Sequence, residues 1–215
     1  MTRTPCSRPW RSIVAVWVSL LALGSGAAAA AAQETRVGRP IPAVVTPPAE
    51  YQRAIERGWR SEDGSPGHSY WQQGATYAIE ARLDAVAAKL EGTVRIAYAH
   101  NAPATLRTVF LLLHQNFHKD NAVRHEPAEI TGGMTLRRVV AGGAVLAEGE
   151  LEAGPGYHVE GTVMELRPSA PLAQGDTLRL EIEWEMTVPQ KGINERMGHS
   201  NHEVYFVAYW FPKMA

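Results

Sequence analysis

The first residues that could do chemistry are two histidines, His114 and His118, which lie four apart with Gln115 between them. In a His-Glu-x-x-His helix this spacing puts both imidazoles on one face to bind zinc, and the glutamate acts as general base. Here Gln115 stands where that glutamate would be, and an amide cannot accept the proton. The segment also leaves a predicted strand instead of lying on a helix. We therefore expect no zinc site at these histidines.

A second histidine pair, His199 and His202, lies in a polar loop beside Glu203. A zinc site needs at least a third ordered ligand, and histidines without one are usually solvated. Three glutamates, at positions 181, 183 and 185, alternate with apolar residues along one predicted strand. That alternation is typical of the solvated face of a sheet, not of a carboxylate pair for acid–base catalysis.

The chain has one cysteine, Cys6, and it lies in the predicted leader. The exported part therefore has no thiol for a disulfide or a cysteine-ligated zinc site. It also contains no nucleophile elbow and no phosphate-binding glycine loop. We predict that this chain holds no catalytic residue and no cofactor, and that the purified mature form retains no stoichiometric zinc on metal analysis after dialysis.

The most aromatic stretch lies at 205–211, where Tyr205, Phe206, Tyr209, Trp210 and Phe211 fall within seven residues. Aromatic side chains carry the largest burial free energies, so an uncovered cluster of them marks an interface. We expect this stretch to be one strand whose rings face a further domain, either covalent in a parent protein or supplied by a partner.

The amino terminus predicts export. Arg3, Arg8 and Arg11 precede an apolar run of about a dozen residues and an Ala-x-Ala pattern that ends at residue 32, which together indicate a cleaved signal peptide over 1–32. We expect a periplasmic or secreted protein with no stable membrane anchor after cleavage. The full chain has 21 basic and 22 acidic residues, and loss of those three arginines leaves a formal charge of −4, which argues against nucleic-acid binding.

The remaining sequence divides into a linker at 33–48, rich in proline and alanine, and one domain at 49–215. Pro47 and Pro48 precede a short predicted helix that ends before Gly58. Period-two alternation then predicts strands at 75–84, 93–98, 106–113, 134–140, 144–150, 162–167, 177–188 and 205–211. About eight strands with one short amino-terminal helix indicate an all-β fold, an antiparallel β-sandwich or saddle.

Several segments, in order and with matching spacing, are similar to the amino-terminal domain of bacterial M1-family zinc metallopeptidases. They are DGSPGHSYWQQ at 63–73, YAIEARLD at 77–84, LEG at 90–92, YAHNAP at 98–103, LLLHQNF at 111–117, LAQGD at 172–176 and WFPKM at 210–214. Together they cover most of 60–215. The resemblance implies a saddle-shaped β domain that leads into a thermolysin-like catalytic domain.

In that family the catalytic domain carries the HExxH zinc helix, a distal glutamate ligand and a Gly-x-Met-Glu-Asn loop. This sequence contains no HExxH. The resemblance therefore implies an inactive fragment of an aminopeptidase-class enzyme. Its partners would be the catalytic domain of the same parent and a peptide substrate at the rim, and the zinc would lie in the missing domain.

The resemblance also implies substrate-binding positions. The family's first domain usually contributes a Gln or Glu that binds the free amino group of the substrate, and an alignment on Pro212 places Tyr209 and Phe211 at those positions. An aromatic ring offers an ammonium only a cation–π contact. The alternative interpretation is a stand-alone secreted β-sandwich that binds a protein or carbohydrate through the aromatic carboxy-terminal strand.

Overall fold

The computed structural model describes residues 46–151, 154–192 and 196–215. The predicted signal peptide and nearly all of the predicted linker lie outside these residues. One helix, α1, spans Ala49–Glu56. Eleven strands follow among the described residues: β1 Gly74–Asp84, β2 Lys89–Ala99, β3 Val109–Leu112, β4 Met134–Ala141, β5 Ala144–Leu146, β6 Gly156–Glu160, β7 Val163–Arg167, β8 Thr177–Thr187, β9 Met197–Ser200, β10 Val204–Val207 and β11 Lys213–Met214.

The strands from β1 onwards form three antiparallel sheets within a compact unit that covers Glu50–Ala215. The largest has five strands in the order β1-β2-β8-β4-β5. A second has four in the order β11-β3-β7-β6, and β9 and β10 form a hairpin of their own. The predicted all-β, sandwich-like fold with a short amino-terminal helix is confirmed.

The two faces of the central strand β8 differ as its sequence predicts. Apolar side chains at alternate positions are at most 3% exposed, and these are Leu178, Leu180, Ile182, Trp184 and Met186. The glutamates on the other face pair with arginines of neighbouring strands: Glu181 lies 2.9 Å from Arg95 and 2.8 Å from Arg138. Those guanidinium groups lower the pKa of Glu181. This face of β8 is a solvated ion-pair face, as the alternation predicts.

The carboxy-terminal region is not the single strand over 205–211 that the sequence predicts. Strand β10 ends at Val207, and Tyr209 then adopts a left-handed backbone with φ +53°. Side chains other than glycine rarely adopt this conformation, and it cannot continue a strand. After Pro212, the short β11 pairs with β3 of the four-stranded sheet. Strands β6, β9 and β11 were not predicted.

The aromatic rings of this region are not all uncovered, which corrects the second part of that prediction. Trp210 and Phe211 are half-buried and pack against the hydrophobic core. The ring of Trp210 lies 5.7 Å from that of Trp184, and the ring of Phe211 lies 5.8 Å from that of Tyr77. The Tyr77 hydroxyl also accepts a hydrogen bond from the backbone N–H of Met214 at 3.0 Å. Both rings therefore belong to the core of this domain.

Candidate functional site

The bend at Tyr209 is held by the residue that occupies the general-base position of the histidine motif. Gln115 is 5% exposed and lies in a 3-10 helix at His114–His118, directly after β3. Its side-chain amide donates to the backbone carbonyls of Ala208 at 3.0 Å and Tyr209 at 3.2 Å. Backbone carbonyls at such a bend have no strand partner, and a buried polar group costs free energy unless it is hydrogen-bonded. Gln115 thus has a structural role here.

The neighbouring His114 packs on the Tyr209 ring, with 4.7 Å between the ring centroids. Its Nε2 atom is buried and has no hydrogen-bond partner among the described residues. Burial lowers the pKa of His114, and the positive charge of Lys213 lowers it further. Both effects favour the neutral imidazole, whose Nε2 is a buried polar atom without a partner among the described residues.

Two cations lie beside the exposed Tyr209 ring. Arg196 donates a hydrogen bond to the Tyr209 hydroxyl at 3.3 Å, and the Lys213 ammonium lies 5.9 Å from the ring centroid. These two positive charges disfavour the binding of a third cation, because like charges repel and the Lys213 ammonium already lies over the ring face. The surroundings of Tyr209 suit a carboxylate or another anion better than the free amino group that the resemblance assigns to it.

The two residues predicted to bind substrate have different environments. Tyr209 is 45% exposed, whereas Phe211 is half-buried between Tyr77 and Trp210. A role for Tyr209 at a rim stays a prediction. Phe211 contributes to packing, and its ring offers a ligand less surface than that of Tyr209. No local sequence signal predicts this difference in exposure, because it follows from the left-handed backbone at Tyr209.

The other three histidines considered as metal ligands, His118, His199 and His202, contact neighbouring residues of the fold. His118 is 3% exposed, and its Nδ1 lies 2.8 Å from the carbonyl oxygen of Glu129. The His199 ring lies 4.3 Å from that of His202 and also stacks on Tyr205, whose hydroxyl donates to the Ala85 carbonyl at 2.7 Å. Over the described residues, no three His, Cys, Asp or Glu side chains are grouped in a way that could hold a metal ion.

The outer face of β10 is an exposed apolar surface that the sequence prediction did not separate from the rest of the aromatic region. Val204 is 50% and Phe206 is 64% exposed, whereas the alternate residues Tyr205 and Val207 pack against the core. We refer to Val204 and Phe206 as the β10 outer face. Period-two alternation within 204–207 could have identified it.

None of the helices that the structure describes has the length and apolar character needed to cross a membrane.

A titration of His114 tests the electrostatics of this site. We expect its pKa to lie below the ordinary value of 6.5, and replacing Lys213 with Met to raise it part of the way back, because burial remains. Since the folded state binds this proton less readily than the unfolded state, His114 should favour unfolding as the pH falls below about 6.5. The measurement is an NMR titration of the imidazole protons. A pKa at or above 6.5 in the folded protein would contradict the burial seen here.

No model of a protein family matches the chain, and no curated protein shows significant similarity to it.

Proposed function

We propose that this chain is the non-catalytic amino-terminal β domain of an exported M1-like zinc metallopeptidase. In this proposal it packs against a catalytic domain and helps to shape the substrate cleft. The zinc ion and the general base belong to that second domain, so the chain alone hydrolyses no peptide. Support comes from the ordered motifs over 60–215 and from an all-β architecture of the kind that those motifs imply.

The observation that carries the proposal is the β10 outer face together with the adjoining Tyr209 bend. Phe206, in the four-residue strand β10, is 64% exposed, and Tyr209, in the bend that follows, is 45% exposed. Exposed aromatic side chains in a structured segment are typical of surfaces that a partner covers. The motif that contains Trp210 and Phe211 directly follows this surface and fixes it to the core, so the surface is held in a defined orientation.

One observation favours a second candidate, the stand-alone secreted binding module. Trp210 and Phe211 pack on Trp184 and Tyr77 of this same chain, and β11 completes the edge of the four-stranded sheet. The core therefore needs no second domain to cover these two rings. In this alternative, the β10 outer face and Tyr209 bind a protein or carbohydrate directly.

Removal of the exposed ring tests whether the β10 outer face is an interface. Phe206→Ser should lower the binding of a hydrophobic dye and reduce self-association, because it removes the largest exposed apolar side chain of that face. Stability should change by no more than about 0.5 kcal/mol, as for most surface substitutions. Dye fluorescence, sedimentation velocity and urea unfolding are the measurements.

Val86→Ser is the matched control, since Val86 is 89% exposed and lies in the turn between β1 and β2, outside the β10 outer face. It should leave dye binding unchanged. In a form extended through a catalytic domain, the wild-type protein should bind as little dye as Phe206→Ser. Equal dye binding by the short and extended forms would count against the proposal and favour the binding module.

A further inference from the structure

The longest exposed sheet edge in the described part of the chain is β1. It has eleven residues and pairs with β2 on one side, while no described residue pairs with its other side. Of residues 78–84, only Ile79 is half-buried, and the others are exposed. An edge of this length presents a row of unpaired N–H and C=O groups to any strand that can align with it.

The side chains on this edge are divided by face. Ile79 packs against the core, and Leu83, 39% exposed, shares its face by strand alternation. Glu80 and Arg82 lie on the solvated face, where Glu80 is 2.9 Å from Arg95 of β2. Arg82 has no carboxylate within ion-pair distance among the described residues. The edge thus carries an acid and a base two positions apart, with the base still available to an acid from outside.

This pattern is complementary to itself. Two copies of β1 can pair antiparallel about a two-fold axis that is perpendicular to the sheet. Their core faces then lie on the same side only if the central residue of one copy is opposite the same residue of the other. We describe that residue as lying on the axis. With Ala81 on the axis, Glu80 of each copy faces Arg82 of the other, and Ile79 faces Leu83. Each of the two Glu80–Arg82 pairs joins opposite charges, and each of the two Ile79–Leu83 pairs lies on the core side.

The neighbouring registers lack this match. With Glu80 on the axis, two carboxylates face each other, and with Arg82 on the axis, two guanidinium groups do so while Glu80 faces Asp84. Directly opposed like charges are destabilising on a sheet. In the Ala81 register, Asp84 faces Ala78, and its carboxylate already accepts the backbone N–H groups of Val86 and Ala87 at 2.9 and 3.0 Å. Of these three registers, charge therefore selects the one with Ala81 on the axis.

From this we infer that β1 is a homodimer interface, in which the β1 strands of two copies pair antiparallel with Ala81 on the two-fold axis and join the two five-stranded sheets into one. The partner is a second copy of this chain, because the charge and apolar pattern of residues 78–84 complements the same segment. The interface uses no residue of the β10 outer face, so the two surfaces are tested separately.

Charge reversal tests the pairing, with every variant made in the Phe206→Ser background so that the β10 outer face does not contribute. By sedimentation equilibrium, Glu80→Arg and Arg82→Glu should each weaken dimerisation about tenfold or more, since each reverses two symmetry-related pairs. The double variant E80R/R82E should restore it. Circular dichroism checks folding, and Arg82→Glu breaks no ion pair within the described part of the chain. A monomeric parent, or a double variant no better than the single ones, overturns the inference.

Disulfide trapping tests the register directly. Residues opposite each other across an antiparallel pair have Cα atoms about 4.5–5.5 Å apart, within the range that a disulfide spans. In a Cys6→Ser background, which removes the one native cysteine, Ala81→Cys should form a covalent dimer on mild oxidation. Ala78→Cys, on the same strand but opposite Asp84, should not. Equal cross-linking of the two variants, or none at Ala81, overturns the Ala81 register.

Discussion

Replacing Trp210 and Phe211 together with Ser is expected to lower the free energy of unfolding by about 4 kcal/mol or more. Full truncation of a buried aromatic ring costs about 3–5 kcal/mol, and these two rings are half-buried. Their loss uncovers Trp184, which is 1% exposed, and Tyr77. Small domains have only about 5–15 kcal/mol of stability, so the variant should unfold at a much lower urea concentration than the wild type. Urea unfolding followed by circular dichroism is the measurement.

The matched control is Val204→Ser combined with Phe206→Ser, two apolar residues of the same carboxy-terminal region that face solvent. Its free energy of unfolding should differ from that of the wild type by no more than ordinary surface substitutions cause, about 0.5 kcal/mol each. If instead the Trp210 and Phe211 variant stays as stable as this control, the two rings are not part of the core. The single-strand interface predicted from the sequence would then regain support.

Gly92→Ala, which adds one methyl group, is expected to lower the free energy of unfolding by about 3 kcal/mol. This is near the upper end of typical overpacking costs. A Cβ there would lie 2.4 Å from the carbonyl oxygen of Glu80 and 3.0 Å from Cζ2 of Trp184. The carbonyl is backbone of the paired strand β1 and cannot turn aside as a flexible side chain could, and Trp184 is 1% exposed. Strand positions normally favour Ala over Gly by about 0.5–1 kcal/mol, so the sign of the effect is diagnostic.

Gly74→Ala is the control on the same pair of strands. Its Cβ would meet only the Ala99 Cβ at 3.8 Å, an ordinary van der Waals contact. It should leave stability unchanged or raise it slightly, and thermal unfolding compares the two variants directly. A Gly92→Ala protein at least as stable as Gly74→Ala would contradict the close approach of the Glu80 carbonyl and the Trp184 ring to Gly92.

The regular part of this fold could be predicted from the sequence because it depends on local alternation. Strand β8 alternates without interruption over eleven residues, and its buried and solvated faces follow directly from that pattern. The short strand β6 was missed because Gly154, Pro155 and Gly156 indicate a turn, and the strand begins at the last of them.

The candidate site could be predicted only in part, since its geometry depends on contacts between distant residues. The amide of Gln115 indicates from the sequence that it is no general base, but its hydrogen bonds to the backbone at 208 and 209 span more than 90 residues and leave no local signal. No residue type in 205–211 predicts the left-handed backbone at Tyr209, because non-glycine residues seldom adopt it. That one bend separates the core-facing rings from the exposed ones.

The most direct test of the proposed function is to read the genomic DNA beyond the codon for Ala215. The proposal predicts an open continuation, in the same or a shifted frame, that encodes a Gly-x-Met-Glu-Asn loop and a HExxH motif. Expression of the joined protein should then give a chelator-sensitive peptidase whose β10 outer face no longer binds dye. A stop codon with no such coding sequence nearby would contradict the proposal and leave the stand-alone binding module as the function that the structure supports.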